Sequence, residues 1–143
     1  MLNIYVATAS SPLELAEEKI RAVKASGHHI TYDWTIDVRR AGVGSPDDSD
    51  VRRRAALADL KGVMSANVLW LVQPDPTSSS TGAWVELGVA LSKRELARDI
   101  VIVASGSSKK CIFTDLADYR FQSHDDAFEF ITKDLGFRKI VSV

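Results

Sequence analysis

The chain has one cysteine, Cys111, in 143 residues. A lone thiol cannot form an internal disulfide, which fits a reducing compartment, and a cytoplasmic protein is expected. Neither sign of charge dominates: 18 Lys and Arg face 19 Asp and Glu, for a net charge of −1. That balance gives no general attraction to nucleic acid or to an anionic membrane, so neither is expected as a partner. No apolar run approaches the roughly 20 residues that span a bilayer. Met1-Leu2-Asn3 leads into a short apolar run without the basic start and long apolar stretch of a signal peptide. His28, His29 and His124 show no metal-ligand spacing with Cys111 or with one another, so no metal and no cofactor is expected. There is no P-loop and no GxGxxG, and no serine stands in a nucleophile-elbow pattern. The basic run Arg52-Arg53-Arg54 reads as the solvated face of a helix.

What is present is a chain that is 45% hydrophobic and 26% charged, long enough for one core and one domain over residues 1–143. Short apolar runs alternate with helical patterns. Ile4–Thr8 reads as a first strand. Pro12–Ala25 carries Leu13, Ala16, Ile20 and Val23 at helical spacing and stops at Gly27. His29–Trp34 alternates like a second strand, and Asp37–Ser49, with its glycines and Pro46, reads as a loop. Ser49 or Asp50 is expected to cap a helix to about Met64 that buries Val51, Leu57, Leu60 and Met64. Val68–Val72 is apolar throughout, as a central strand covered on both faces requires, and Asp99–Ala104 is similar. Between them lie a polar stretch, Gln73–Thr81, and a helix, Gly82–Ala97. A short fifth strand is expected at Cys111–Thr114 and a last helix from about His124 to Leu135.

This alternation predicts an α/β fold of three layers, with five parallel strands and helices on both faces. The flavodoxin-like strand order 2-1-3-4-5 is expected, with ligands bound outside the carboxyl ends of strands one and three, where the winding reverses. Those ends are Thr8-Ala9-Ser10-Ser11 and Gln73–Gly82, both supplied with small hydroxyl side chains. Thr8, Ser10, Ser11, Ser80 and Gly82 are therefore candidate ligand contacts. Trp34, at the end of the second strand, is placed either to stack on a base or to pack in the core. Trp70 reads as core, and Trp84 as helix packing or pocket wall.

Glu86-Leu87-Gly88-Val89-Ala90, near the start of the third expected helix, resembles the Glu-Leu-Gly-x-Ala segment around the catalytic glutamate of the nucleoside 2-deoxyribosyltransferases. That superfamily includes the 2′-deoxynucleoside 5′-monophosphate N-hydrolases. Tyr5 in Ile4-Tyr5-Val6-Ala7 matches the family's first-strand tyrosine that orients the glutamate, and Asp59 in Asp59-Leu60-Lys61-Gly62-Val63 matches its second acidic residue. The likeness runs from residue 4 to about 104. The resemblance implies Glu86 as nucleophile, Asp59 as the acid that serves the leaving base, and Tyr5 as their orienter. It implies a nucleoside or nucleotide ligand and a homodimer or larger homo-oligomer whose subunits complete one another's sites. Asn67 stands where many members have aspartate. Ser80 stands where the transferases tend to have aspartate and the monophosphate hydrolases a phosphate-binding serine. Ser80, Gly82, Ser10 and Ser11 then suggest a phosphate cradle, although the first loop has no arginine.

The chemistry fits these residue types. Displacement of a base from C1′ passes through an oxocarbenium-like transition state that a carboxylate can trap as a glycosyl ester. Glu86 near a helix N-terminus is expected to be held ionised by the macrodipole. Asp59, sharing a helix face with Ala55, Ala56 and Val63, is expected to hold its proton more tightly than a free aspartate. The alternatives are a solvated Glu86, an Asp59 paired with an arginine such as Arg52, and a Tyr5 that merely packs. Two other functions are consistent with the same features: a TIR-like glycohydrolase that cleaves NAD, and a non-catalytic nucleotide-binding or sensing module.

Overall fold

The computed structural model describes residues 1–41, 48–73, 81–106 and 111–136. Five parallel strands form one sheet: β1 Asn3–Ala7, β2 His29–Ile30, β3 Val68–Val72, β4 Val101–Ser105 and β5 Tyr119–Phe121, in the order β2-β1-β3-β4-β5. The helices are α1 Leu13–Ala25, α2 Thr35–Ala41, α3 Ser49–Ser65, α4 Thr81–Ala97 and α5 His124–Glu129, the last continuing as wider π-type turns over Phe130–Leu135. This is the expected α/β, flavodoxin-like arrangement. Val68–Val72 is buried along its whole length because β1 and β4 flank it and helices cover both faces.

Period-two alternation sorts the strand side chains into two cores. Ile4, Val6, Val68, Trp70, Val72 and Val103 meet Ile20 and Val23 of α1 and Ala127, Ile131 and Leu135 of the last helix. Tyr5, Ala7, Leu69, Leu71, Ile102 and Ala104 meet Val63 of α3 and Ala83, Leu87 and Ala90 of α4. Among the described residues no helix is long and apolar enough to cross a membrane.

Five local expectations need correction. The second strand stops at Ile30. Asp33 Oδ1 accepts from the Thr35 amide at 3.2 Å and opens α2, so residues 37–41, expected in a loop, are helical. Residues 42–47 of that loop lie outside the described residues. Asp48, rather than Ser49 or Asp50, caps α3, accepting from the amides of Asp50 at 2.8 Å and Val51 at 3.3 Å. Helix α3 buries Gly62 and Val63, while Val51, Leu57 and Met64 are exposed and Leu60 is half-buried. The reason is close approach: a Cβ at Gly62 would stand 2.8 Å from Tyr32 Cβ and 2.9 Å from the Tyr5 ring, so only the small-residue face can seat. Residues Ile112–Leu116 form a 3₁₀ turn, and the fifth strand comes later, at Tyr119–Phe121. Asp118 fixes it there, accepting from the Ile102 amide at 2.8 Å through its carboxylate and donating its own amide to the Ile102 carbonyl at 2.9 Å.

Candidate active site

The sheet delivers Tyr5, paired in register with Leu69 of β3, to the α3/α4 side, where it is fully buried. Its hydroxyl donates to Glu86 Oε1 at 2.9 Å. Glu86 comes from α4, is 8% exposed, and its second oxygen has no hydrogen-bond partner among the described residues. Asp59 comes from α3 and is half-buried, and its Oδ1 is likewise buried without a partner. The structure therefore brings Tyr5, Asp59 and Glu86 together from three elements. Native folds rarely leave buried acceptors open, so two carboxylate oxygens left open among the described residues make this a candidate site.

Burial disfavours charge on both acids. It is the first cause that raises Glu86 from 4.5 to about 8, with the nearby Asp59 charge second and the Tyr5 hydrogen bond opposing. It is also the first cause that raises Asp59 from 3.8 to about 6, with Asp37 second and Tyr5 again opposing. Tyr5 itself is pushed far above the usual phenol range by burial and then by Glu86 and Asp59. The expected dipole stabilisation of Glu86 is not what governs it. Glu86 lies in the second turn of α4, whose first turn holds no acid, and the dipole fades within one turn. The two carboxyls titrate as a pair beside one tyrosine, and the heavier burial of Glu86 places the resting proton there.

The ligand-contact candidates fall at the predicted sheet edge or nearby. Thr8 lies just past β1, buried, with Oγ1 unpartnered among the described residues. Ser10 and Ser11 are exposed before α1, and Gly82 is exposed in the first turn of α4, with open space where a Cβ would stand. Ser80 lies outside the described residues. Trp34 is 7% exposed, packs in the α3/α4-side core, and spends its indole N–H on the Val6 carbonyl at 2.9 Å. That is the placement of a core residue and not of a stacking platform. Trp70 is fully buried, and Trp84 packs partly buried against the same core as Glu86's neighbours.

Sequence reasoning missed three residues. Gln73 follows β3, is 5% exposed, and leaves Oε1 unpartnered among the described residues. By alternation it follows Leu69 and Leu71 onto the Glu86 side. The signal was a lone polar residue directly after an apolar strand. Tyr32 and Asp37 were hidden by the strand-and-loop reading of residues 29–49: the Tyr32 hydroxyl donates to Asp37 Oδ2. Among the described residues no group of His, Cys, Asp and Glu is arranged to hold a metal ion. Neither the known protein families nor the curated proteins gave a match to this chain.

Proposed function

We propose that this chain breaks, or exchanges, the N-glycosidic bond of a nucleoside or nucleoside 5′-monophosphate through a covalent intermediate on Glu86. The observation that carries the reading is the buried Tyr5–Glu86 hydrogen bond beside Asp59, with one open oxygen left on each acid. In the reactive form the proton stands on Asp59 and Glu86 is ionised. The Glu86 oxygen attacks C1′ as the C1′–N bond breaks. The bonding pair leaves with the base, whose nitrogen takes the Asp59 proton. Water or a second base then attacks C1′ of the ester, the Glu86–C1′ bond breaks, and the proton released by the incoming nucleophile returns to Asp59. Tyr5 holds Glu86 Oε1 and leaves Oε2 to attack.

A 2-fluoro-2-deoxy nucleoside analogue tests this, because its glycosyl ester should hydrolyse slowly. Intact-mass and peptide analysis should find the adduct on Glu86. An adduct on another residue overturns the assignment. A panel of nucleosides, 5′-monophosphates and NAD, scored by free-base release, fixes the substrate class. Ligand-dependent thermal stabilisation with no base release from any of them would make the chain a binding module.

The same reading includes a homodimer or larger homo-oligomer. Leu57 and Met64 on α3, Val85 on α4 and Ile112, Phe113 and Leu116 in the 3₁₀ turn are exposed, on elements that pack side by side. Apolar surface collected on one side is what a second copy would cover. Light scattering that finds only monomer at working concentration would refute it.

A further inference from the structure

Two carboxyls that share a proton pose a problem for the mechanism, since a proton resting on Glu86 silences the nucleophile. The surroundings of the two acids differ in one respect. A third carboxylate, Asp37, acts on Asp59 but is not among the causes that set Glu86. Its position is fixed by the fold. Asp33 starts α2 and places Asp37 in that helix's first turn. The Tyr32 hydroxyl donates to Asp37. The backbone of Gly62 seats against both Tyr32 and Tyr5, and Asp59 lies one turn earlier on the same face of α3.

We propose that Tyr32 and Asp37 are positioning residues, holding a negative charge beside Asp59 and away from Glu86 so that the shared proton is driven toward the acid that serves the leaving base. The proposal rests on the roles given above to Glu86 and Asp59. The groups that face Asp59 are Tyr5 from β1, Glu86 from α4, and Tyr32 and Asp37 from the segment after β2. Asp33, which also acts on Tyr32, is held by Lys24 at 2.9 Å. Among the described residues no cation contributes to the proton affinity of Asp59. Like charge placed next to an acid favours its protonated form. Tyr32 contributes in a second way: by donating to Asp37 it orients that carboxylate.

The variant Asp37→Asn keeps an acceptor for Tyr32 and removes only the charge. Carboxyl ¹³C NMR of the ligand-free protein reads the effect without reference to catalysis. The Asp59 midpoint should move down from about 6 in the wild type by roughly half a unit or more. In base-release assays the acid limb of the kcat profile, which follows Asp59, should move to lower pH by the same amount and the plateau should fall about threefold, because less of the shared proton stands on Asp59, with the alkaline limb and KM little changed. Tyr32→Phe should produce a smaller shift of the same sign, and Asp37→Glu should restore the wild-type profile. An unmoved Asp59 midpoint in folded Asp37→Asn overturns the proposal, as does a moved midpoint with an unmoved profile. If the midpoint moves but wild-type protein releases no base from any substrate, the enzymatic reading falls and the coupling between Asp37 and Asp59 stands.

Discussion

Each face of the sheet carries a buried polar chain, and the two are finished differently. On the α1/α5 side the Trp70 indole N–H donates to Ser105 Oγ at 2.9 Å, and Ser105 Oγ lies 2.7 Å from His124 Nδ1. The Ser105 hydroxyl thus joins the Trp70 indole to the His124 ring, accepting from the one and sharing a hydrogen bond with Nδ1 of the other. Burial, and then Lys19, push His124 below its usual range, in keeping with a neutral ring. This chain is closed. On the α3/α4 side Tyr5 donates to Glu86, and among the described residues the chain stops there, with open oxygens on Glu86 and Asp59. A closed buried network rigidifies a core, whereas an open one costs stability until something fills it. The difference separates a face whose polar chain is satisfied within the fold from one whose acids keep open oxygens among the described residues.

The largest effects should come from breaking the open chain. Glu86→Ala should reduce base release by at least about a thousandfold while leaving the far-UV spectrum unchanged. Full activity in that variant would end the proposal. Asp59→Asn should lower the same rate by about a hundredfold to ten-thousandfold, most for poor leaving bases, because the lost function is protonation. A loss independent of leaving group would assign Asp59 to binding instead.

A second test concerns the cost of keeping the chain open. Glu86 holds its proton to about pH 8 when folded and loses it near 4.5 when unfolded. Between those values the folded state binds more protons, so stability falls as pH rises through this window, and the penalty is complete above it. Asp59 adds a penalty of the same sign between its ordinary 3.8 and about 6. Glu86→Gln keeps the Tyr5 hydrogen bond and removes the titration. It should be more stable than wild type at pH 8.5 by on the order of 2–4 kcal/mol, and equal to it near pH 4. Urea melts at both pH values read the difference directly; parallel pH dependences would mean that Glu86 is not buried as described.

The smallest effect should come from the closed chain. Ser105→Ala leaves the Trp70 N–H and His124 Nδ1 without each other's bridge and should cost about 1–3 kcal/mol of stability. Base release at a temperature where the variant is folded should not change. A selective loss of activity would connect the two faces and undo the contrast drawn between them.

The sequence by itself determined the strand order and the central strands, though not where the second strand ends or where the fifth lies. The unbroken apolar run Val68–Val72, the helical spacing of Leu13, Ala16, Ile20 and Val23, and the stop at Gly27, which takes φ +86°, are local signals that tertiary packing did not overrule. It also named Tyr5, Asp59 and Glu86, through the resemblance of three short stretches of chain to the motifs of a known family. Only the tertiary structure decided their surroundings. Helix α2 depends on an Asp33 side chain capping the Thr35 amide, which competes with the alternation that suggests a strand. The inward face of α3 is chosen by Tyr5 and Tyr32, which lie far from it in sequence and admit only Gly62 and its neighbours, so the larger apolar side chains turn outward. The protonation of Glu86 is likewise a tertiary property. Helix position argued for an ionised carboxylate, but burial argues against it, and desolvation outweighs a dipole that has faded by the second turn.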